Sequence, residues 1–252
     1  MNLTKIDWCD YTWNPITGCT NSCEYCYARK IARRFPEKFN GFKPTFHENR
    51  LIEPYNTPPP KKRKPWIKKA FPNTSLTFTV SMGDMFAAPD FLWINKILRV
   101  FWDCNPYDKD LRLHFDHKFH IFQVLTKFPS NLWHYLPHDN LPMNLWLGVT
   151  VNFNKELPKL DYLTIHRRGI RFVSFEPLFE EIREALLPRW LDWIIIGGMT
   201  GSRKMNCETN PEMRSWIENI INFADKHDIP IFIKDNAKYQ EKIREFPYGG
   251  EI

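Results

Sequence analysis

The sequence predicts an α/β protein: a partial or irregular (βα) barrel of parallel strands with outer helices. Three observations predict it. Short runs rich in β-branched and aromatic residues recur after the first fifty residues, and most are continuously apolar, as in strands covered on both faces. Segments with helical apolar spacing fall between them. Successive strand runs after His120 are mostly about 22 to 36 residues apart, which suits one βα unit each. An open barrel accounts for this rhythm better than a doubly wound sheet does.

In chain order, residues 11–14 (YTWN) form an early strand and residues 24–35 a helix. Residues 53–72 hold six prolines and the cations Lys61, Lys62, Arg63, Lys64, Lys68 and Lys69, and read as an exposed insertion within the same domain. The later strands are 76–81 (LTFTVS), 120–126 (HIFQVLT), 145–151 (LWLGVTV), 171–175 (RFVSF), 193–197 (WIIIG) and 230–233 (PIFI), which with the first makes seven. Among the helices, Phe91, Leu92, Ile94, Ile97, Leu98 and Phe101 make one apolar set. Residues 157–165, starting near Pro158, and 178–187 are shorter candidates. Asn210 followed by Pro211 is an N-cap and first-turn signal, after which Met213, Trp216, Ile217, Ile220, Ile221 and Ala224 form one stripe.

Composition bounds the function. With 252 residues, 43% apolar and 25% charged, the chain builds one sizeable core, which excludes disorder throughout and favours a single domain over residues 1–252. It has no long uncharged apolar run and no basic-then-apolar start, so a soluble, cytoplasmic protein without membrane contact is expected. A net charge of +6 permits a polyanionic partner without requiring one. The ten tryptophans are chiefly core filler. Six cysteines in a reducing compartment point away from disulfides and toward their spacing.

Cys19, Cys23 and Cys26 stand in GCTNSCEYCYA as C-x3-C-x2-C, close enough for three thiolates to converge on one centre. On zinc the fourth position takes water, or His47 or Cys9 closes the site; on a [4Fe-4S] cluster three thiolates hold three irons and leave the fourth for an outside ligand. No second CxxC or HxxxH pair accompanies the triple, and Cys104 and Cys207 are isolated, unlike the paired ligands of zinc fingers. The triple lies after the first strand and before the helix at 24–35, at the carboxyl mouth of a barrel. Polar or glycine residues end the other strands: Asp84, Thr126 with Lys127, Thr150 with Asn152, Glu176, Gly197 with Gly198, and Lys234 with Asp235. In a βα barrel these ends share the same rim.

C-x3-C-x2-C with an aromatic, Tyr25, before the last Cys resembles the signature of radical S-adenosylmethionine enzymes. Beyond it, DWCDYTWNPITGC, YCYA, VSMGDMF, FQVLTKFP, LWLGVTVN, RFVSFEPL, DWIIIGGMTG and PIFIKDN follow in the order of the phage Gp37/Gp68 (DUF5131) family, a resemblance covering nearly the whole chain. Family members often carry a longer insert between the first two cysteines, whereas this chain has the compact spacing of ordinary radical S-adenosylmethionine enzymes. The resemblance implies a TIM-like barrel of the radical SAM type, a [4Fe-4S] cluster on Cys19, Cys23 and Cys26, and S-adenosyl-L-methionine as cofactor. It also implies a reducing partner of the flavodoxin or ferredoxin kind, and it implies no substrate. By the same resemblance Ser81, Gly83 and Asp84 accept from the cofactor's amine, Lys127 pairs with its carboxylate, and Glu176 accepts from ribose hydroxyls or takes a substrate proton. Thr150, Asn152, Gly197 and Gly198 complete a cofactor-binding set, the glycine pair allowing close approach, and Lys234 joins Glu176 and Lys127 as a catalytic candidate.

The leading expectation is therefore hydrogen-atom abstraction by a radical S-adenosylmethionine enzyme. The cations between Lys61 and Lys69 suit a nucleic acid or nucleotide, and suit a solvated loop equally. The alternative is a non-catalytic zinc- or Fe–S-containing nucleic-acid-binding protein. A third reading keeps a cofactor-dependent enzyme on the same barrel without radical chemistry.

Overall fold

A computed structural model describes residues 1–88, 90–107, 119–138, 140–201 and 204–247. The chain opens with β1 (Asn2–Leu3), β2 (Tyr11–Trp13) and β3 (Ile16–Thr17), then α1 (Tyr27–Arg34) and β4 (Thr45–Phe46), which pairs back onto β3. It continues through α2 (Pro65–Ala70), β5 (Ser75–Thr79), α3 (Phe91–Asp103), β6 (His120–Thr126), α4 (Leu132–Tyr135), β7 (Leu145–Thr150), β8 (Arg171–Phe175), β9 (Trp193–Ile196), α5 (Met213–Lys226) and β10 (Ile231–Ile233).

Eight strands form one sheet in the order β1-β2-β5-β6-β7-β8-β9-β10. β1 pairs antiparallel with β2, and every other pair is parallel. The seven parallel strands are those the apolar runs predicted, and their strictly sequential order has no switch point, unlike a doubly wound sheet. The sheet curls but is not closed. Adjacent strands lie about 4.8 Å apart, so β5 and β9, four steps apart, would be roughly 19 Å apart if flat. Yet the Trp8 ring lies 4.8 Å from Phe78 on β5 and 6.2 Å from Trp193 on β9. Closure is blocked at both edges: β1 occupies that of β2, and residues 243–245 cover β10 through Ile233 N–H to Ile243 O (3.0 Å) and Glu245 N–H to Ile231 O (2.9 Å).

Alternation divides the core in two. On the convex face, Val124, Val149, Val173 and Ile194 pack with Ile94 and Ile97 of α3 and Ile217 and Ile220 of α5. On the concave face, Leu76, Ile121, Trp146, Phe172, Trp193 and Phe232, one from each of β5 to β10, surround Trp8, Phe71 and Phe246. These aromatics sit near the amino ends of their strands. Two residues onward on the same face β6, β7 and β8 turn polar or small, with Gln123, Gly148 and Ser174, whereas β5 and β9 stay apolar with Phe78 and Ile195. Further on come Lys127, Thr150, Asn152, Glu176, Gly197 and Lys234.

Three expectations are corrected. Residues 53–72 are not a free insertion: Ile67 and Phe71 are in the core, and Arg63 forms a buried pair with Asp10 (2.6 Å, side chains 3% and 1% exposed). Lys64 Nζ donates to the carbonyls of Thr4 (3.0 Å) and Cys9 (2.6 Å), so this segment plugs the amino end of the sheet. Residues 178–187 hold only a short 3-10 turn at Glu184–Leu186, because the Asn154 side chain captures their backbone: Nδ2 donates to Glu181 O (2.7 Å) and Oδ1 accepts from Arg183 N–H (2.8 Å). The 157–165 candidate lies within a 3-10 run, Asn154–Ile165, which includes Pro158. Among the described residues no helix is long and apolar enough to cross a membrane.

Candidate metal centre and polar rim

The cysteine loop is fastened to the sheet by backbone and amide contacts. Asn14, just after β2, accepts at Oδ1 from Met82 N–H (2.7 Å) and the Ser81 hydroxyl (3.2 Å). Gly18 lies against Gly83 as a parallel bridge; a Cβ on Gly83 would stand 2.4 Å from Gly18 O, and Gly18 itself has φ +89°. Both positions therefore need glycine, one for close approach and one for its backbone angle. Cys19 follows, with its N–H on Phe42 O (3.1 Å) and its carbonyl accepting from Arg29 (3.1 Å). Cys26 is the N-cap of α1 and its sulfur accepts from Arg29 N–H (3.3 Å), while Cys19 Sγ accepts from Asn21 N–H (3.3 Å).

All three cysteines are free and half-buried. Burial pushes the Cys19 thiol up to about 12, with Asp84, Cys23 and Cys26 adding to the rise, so the three groups lie within one another's field. Among the described residues no three His, Cys, Asp or Glu side chains are gathered as ligands of a single metal ion. A four-iron cluster places its thiolates on different irons, and the donor set here fits that demand: three thiols on one short loop, two of them already accepting backbone N–H bonds, one at a helix N-terminus. A metal displaces the thiol protons on binding, which makes loading pH-dependent.

Lys127 joins this loop to the strand ends. Its Nζ lies 5.4 Å from the centroid of the Tyr25 ring and 3.4 Å from Asn152 Oδ1, which also accepts from the Tyr25 hydroxyl (2.6 Å). Burial lowers its pKa, opposed by the charges of Cys23, Glu156, Asp84 and Glu176 around it. Glu156 feels burial upward, but Lys159, Asn152 N–H and Lys127 outweigh it and hold its carboxyl below the ordinary range. Across the rim, Glu176 Oε1 accepts from Lys234 Nζ and, at 3.4 Å, from Asn236 Nδ2. Asn236 is held in turn by Gly198, through N–H to Oδ1 (3.1 Å) and Nδ2 to O (2.9 Å).

Of the residues singled out from the sequence, Lys127, Asn152, Glu176 and Lys234 come together with the cysteines at one rim, and Thr150 is buried one pleat below Asn152 on the same face. Asp84 is buried and engaged: it accepts from the Thr126 hydroxyl (2.8 Å), Phe86 N–H (3.0 Å) and Lys127 N–H (2.9 Å), although burial still raises its pKa. Ser81, Gly83 and Asp84 thus brace the cysteine loop and the end of β6. Gly197 and Gly198 face protein atoms: a Cβ would meet Glu176 Cγ at 3.0 Å and Asn236 O at 2.6 Å, respectively. The cations of residues 61–69 lie at the opposite, amino end of the sheet. Asn14, Glu156 and Asn236 escaped the sequence reading, as did any role for Tyr25 beyond its place in the motif; an isolated amide carries no local signal of its partner. Beneath the rim, Gln123 Oε1 and Ser174 Oγ are buried without a hydrogen-bond partner among the described residues, as ordered water would satisfy.

No curated protein and no solved structure matches the chain. A family model described as a protein of unknown function (DUF5131) matches residues 3–246.

Proposed function

The chain belongs to the DUF5131 family, and from that footing we propose that it is a radical S-adenosylmethionine enzyme on a partial TIM-like barrel. One observation carries the reading: a C-x3-C-x2-C loop with free thiols stands at the carboxyl rim of a sequential parallel sheet, within the field of Lys127. Cys19, Cys23 and Cys26 would hold a [4Fe-4S] cluster. When bound, such a cluster would supply one-electron reducing chemistry for the cleavage of S-adenosylmethionine to methionine and a hydrogen-abstracting 5′-deoxyadenosyl radical. A flavodoxin- or ferredoxin-like reductant in a cytoplasmic setting would deliver that electron.

The chain's own residues prepare the rim for an anionic, hydroxyl-bearing ligand. Lys127 offers an ammonium to a carboxylate, steadied by Asn152 and the Tyr25 ring. The bonds of Glu176 to Lys234 and Asn236 both fall on Oε1, which leaves Oε2 to accept from a hydroxyl or take a proton. The aromatic floor beneath excludes water from below.

Anaerobic reconstitution tests the reading. It predicts about four irons per chain and dithionite-dependent release of 5′-deoxyadenosine, both lost in Cys19→Ala. A loaded cluster that never cleaves the cofactor would sink it. Colourless, air-stable protein with tightly bound zinc would favour the non-catalytic binding module.

A further inference from the structure

The chain's net charge is not spread evenly. Residues 27–43 hold six Lys and Arg against Glu37 alone, a net +5 of the chain's +6. Lys30, Arg33, Arg34, Lys38 and Lys43 are exposed, and none is in an ion pair among the described residues. Arg29 differs: it is spent on the carbonyls of Cys19 and Asn21.

Helical geometry sorts α1 into three faces. Ala28 and Ala32 are buried against Phe42. At 100° per residue, Lys30, Arg33 and Arg34 point away from that contact. Along one flank Tyr27, Ile31 and Phe35, four residues apart, are 49%, 36% and 56% exposed. Exposed rings beside unpaired cations are the two halves of single-strand nucleic-acid recognition, where phosphates meet the cations and unstacked bases meet the rings. A duplex offers no free base faces to Tyr27 and Phe35. An acidic protein would meet the cations, but lysine is depleted in protein interfaces, and three of the five free cations are lysines.

We propose that α1 and the loop to Lys43 form a binding surface for single-stranded nucleic acid, laid toward the cysteine loop. The direction follows from α1 itself: Cys26 caps its N-terminus, and the Tyr27 hydroxyl donates to Ser81 O at the braced end of β5. The eight residues of α1 span about 12 Å, so a strand along it reaches the rim within a few nucleotides. The binding surface stands independently of the radical reading; that the bound strand is the substrate rests on it.

Fluorescence anisotropy with labelled oligothymidylate and oligouridylate, and a duplex for comparison, tests this on the full chain, both as purified and after cluster loading. Exchanging three cations in K30A/R33A/R34A is expected to raise Kd at least roughly tenfold and to flatten the log–log salt slope by about 2. Phe35→Ala weakens single-strand binding about tenfold and leaves duplex binding unchanged. K61A/K62A/K68A/K69A, at the other end of the sheet, stays within about twofold of the parent. Thermal melts confirm folding, and Lys30→Ala alone serves if the triple variant is unstable. The proposal is overturned by no measurable binding, by binding that the lysine quadruple abolishes and the α1 variant retains, or by polyglutamate competing as well as oligothymidylate. Because binding is read without cofactor cleavage, its failure and that of the radical reading are separable.

Discussion

His120 and His166 should make the protein acid-sensitive well above the carboxylate range. Each ring is buried, with Nε2 on a carbonyl: His120 on Pro54 O at 3.0 Å, His166 on Leu145 O at 2.7 Å. Nε2 must therefore carry the proton of the neutral ring, and Nδ1, buried without a hydrogen-bond partner among the described residues, is the site that acid would protonate. Burial lowers both from 6.5 to about 4. A depressed histidine contributes stability that is complete above the unfolded value and is lost as pH falls from about 6.5 toward 4, because only the unfolded chain takes up the proton there. The shift of about 2.5 units corresponds to roughly 3 kcal/mol per histidine. With both unprotonated in the fold, the slope approaches about 3 kcal/mol per pH unit, two protons' worth. Glu156, held low, adds its own loss only at lower pH, and Asp84, raised by burial, opposes it. Urea unfolding from pH 7.5 to 5 isolates the histidines. His166→Gln, retaining a donor toward Leu145 O, should halve the slope, and the double variant with His120→Gln should nearly abolish it. Stability that stays flat between pH 7 and 5, or a slope that both variants keep, would refute the assignment.

Arg63→Ala leaves Asp10 buried without its partner and should cost about 3–5 kcal/mol in urea unfolding, whereas Lys61→Ala and Lys62→Ala, exposed nearby, should stay within about 0.5 kcal/mol. Gly83→Ala puts a methyl into the Gly18 backbone, so the cysteine loop must move; about 1–3 kcal/mol of stability and the slow alkylation of Cys19 by iodoacetamide should be lost together. Glu176→Gln keeps an amide oxygen for Lys234 but removes the charge of a largely buried pair, so it should cost about 1–3 kcal/mol in unfolding while cutting 5′-deoxyadenosine release at least tenfold. Equal losses of fold and release would assign Glu176 a structural role only.

The parallel strands were legible because their burial on both faces leaves a continuous apolar run, and β6 and β8 have the bounds their runs suggested. The cysteines were legible because three of them within eight residues are a local feature. Arg63 and Lys64 were not: Asp10, the partner of Arg63, lies 53 residues earlier, and nothing in a run of cations marks the two that turn inward. Leu178, Ile182 and Leu186 imitate helical spacing, yet only the first two are buried, as anchors of a loop whose backbone Asn154 claims, and Leu186 is exposed. The two-residue β1, which occupies the edge a closed barrel would need, is too short for any periodic signal.

The concave face carries Trp146, Gly148, Thr150 and Asn152 along one strand and Phe172, Ser174 and Glu176 along the next. Each strand therefore reads as a gradient from aromatic to polar along its own length. The packed rings lie in the lower register and the polar candidate-site residues in the upper. A substitution at Glu176, whose Oε2 makes no hydrogen bond among the described residues, can alter the rim while the rings around Trp193 keep the sheet curled. Libraries drawn from Glu176 and Lys234 at the rim should therefore yield folded protein at a far higher rate than libraries drawn from the aromatic floor.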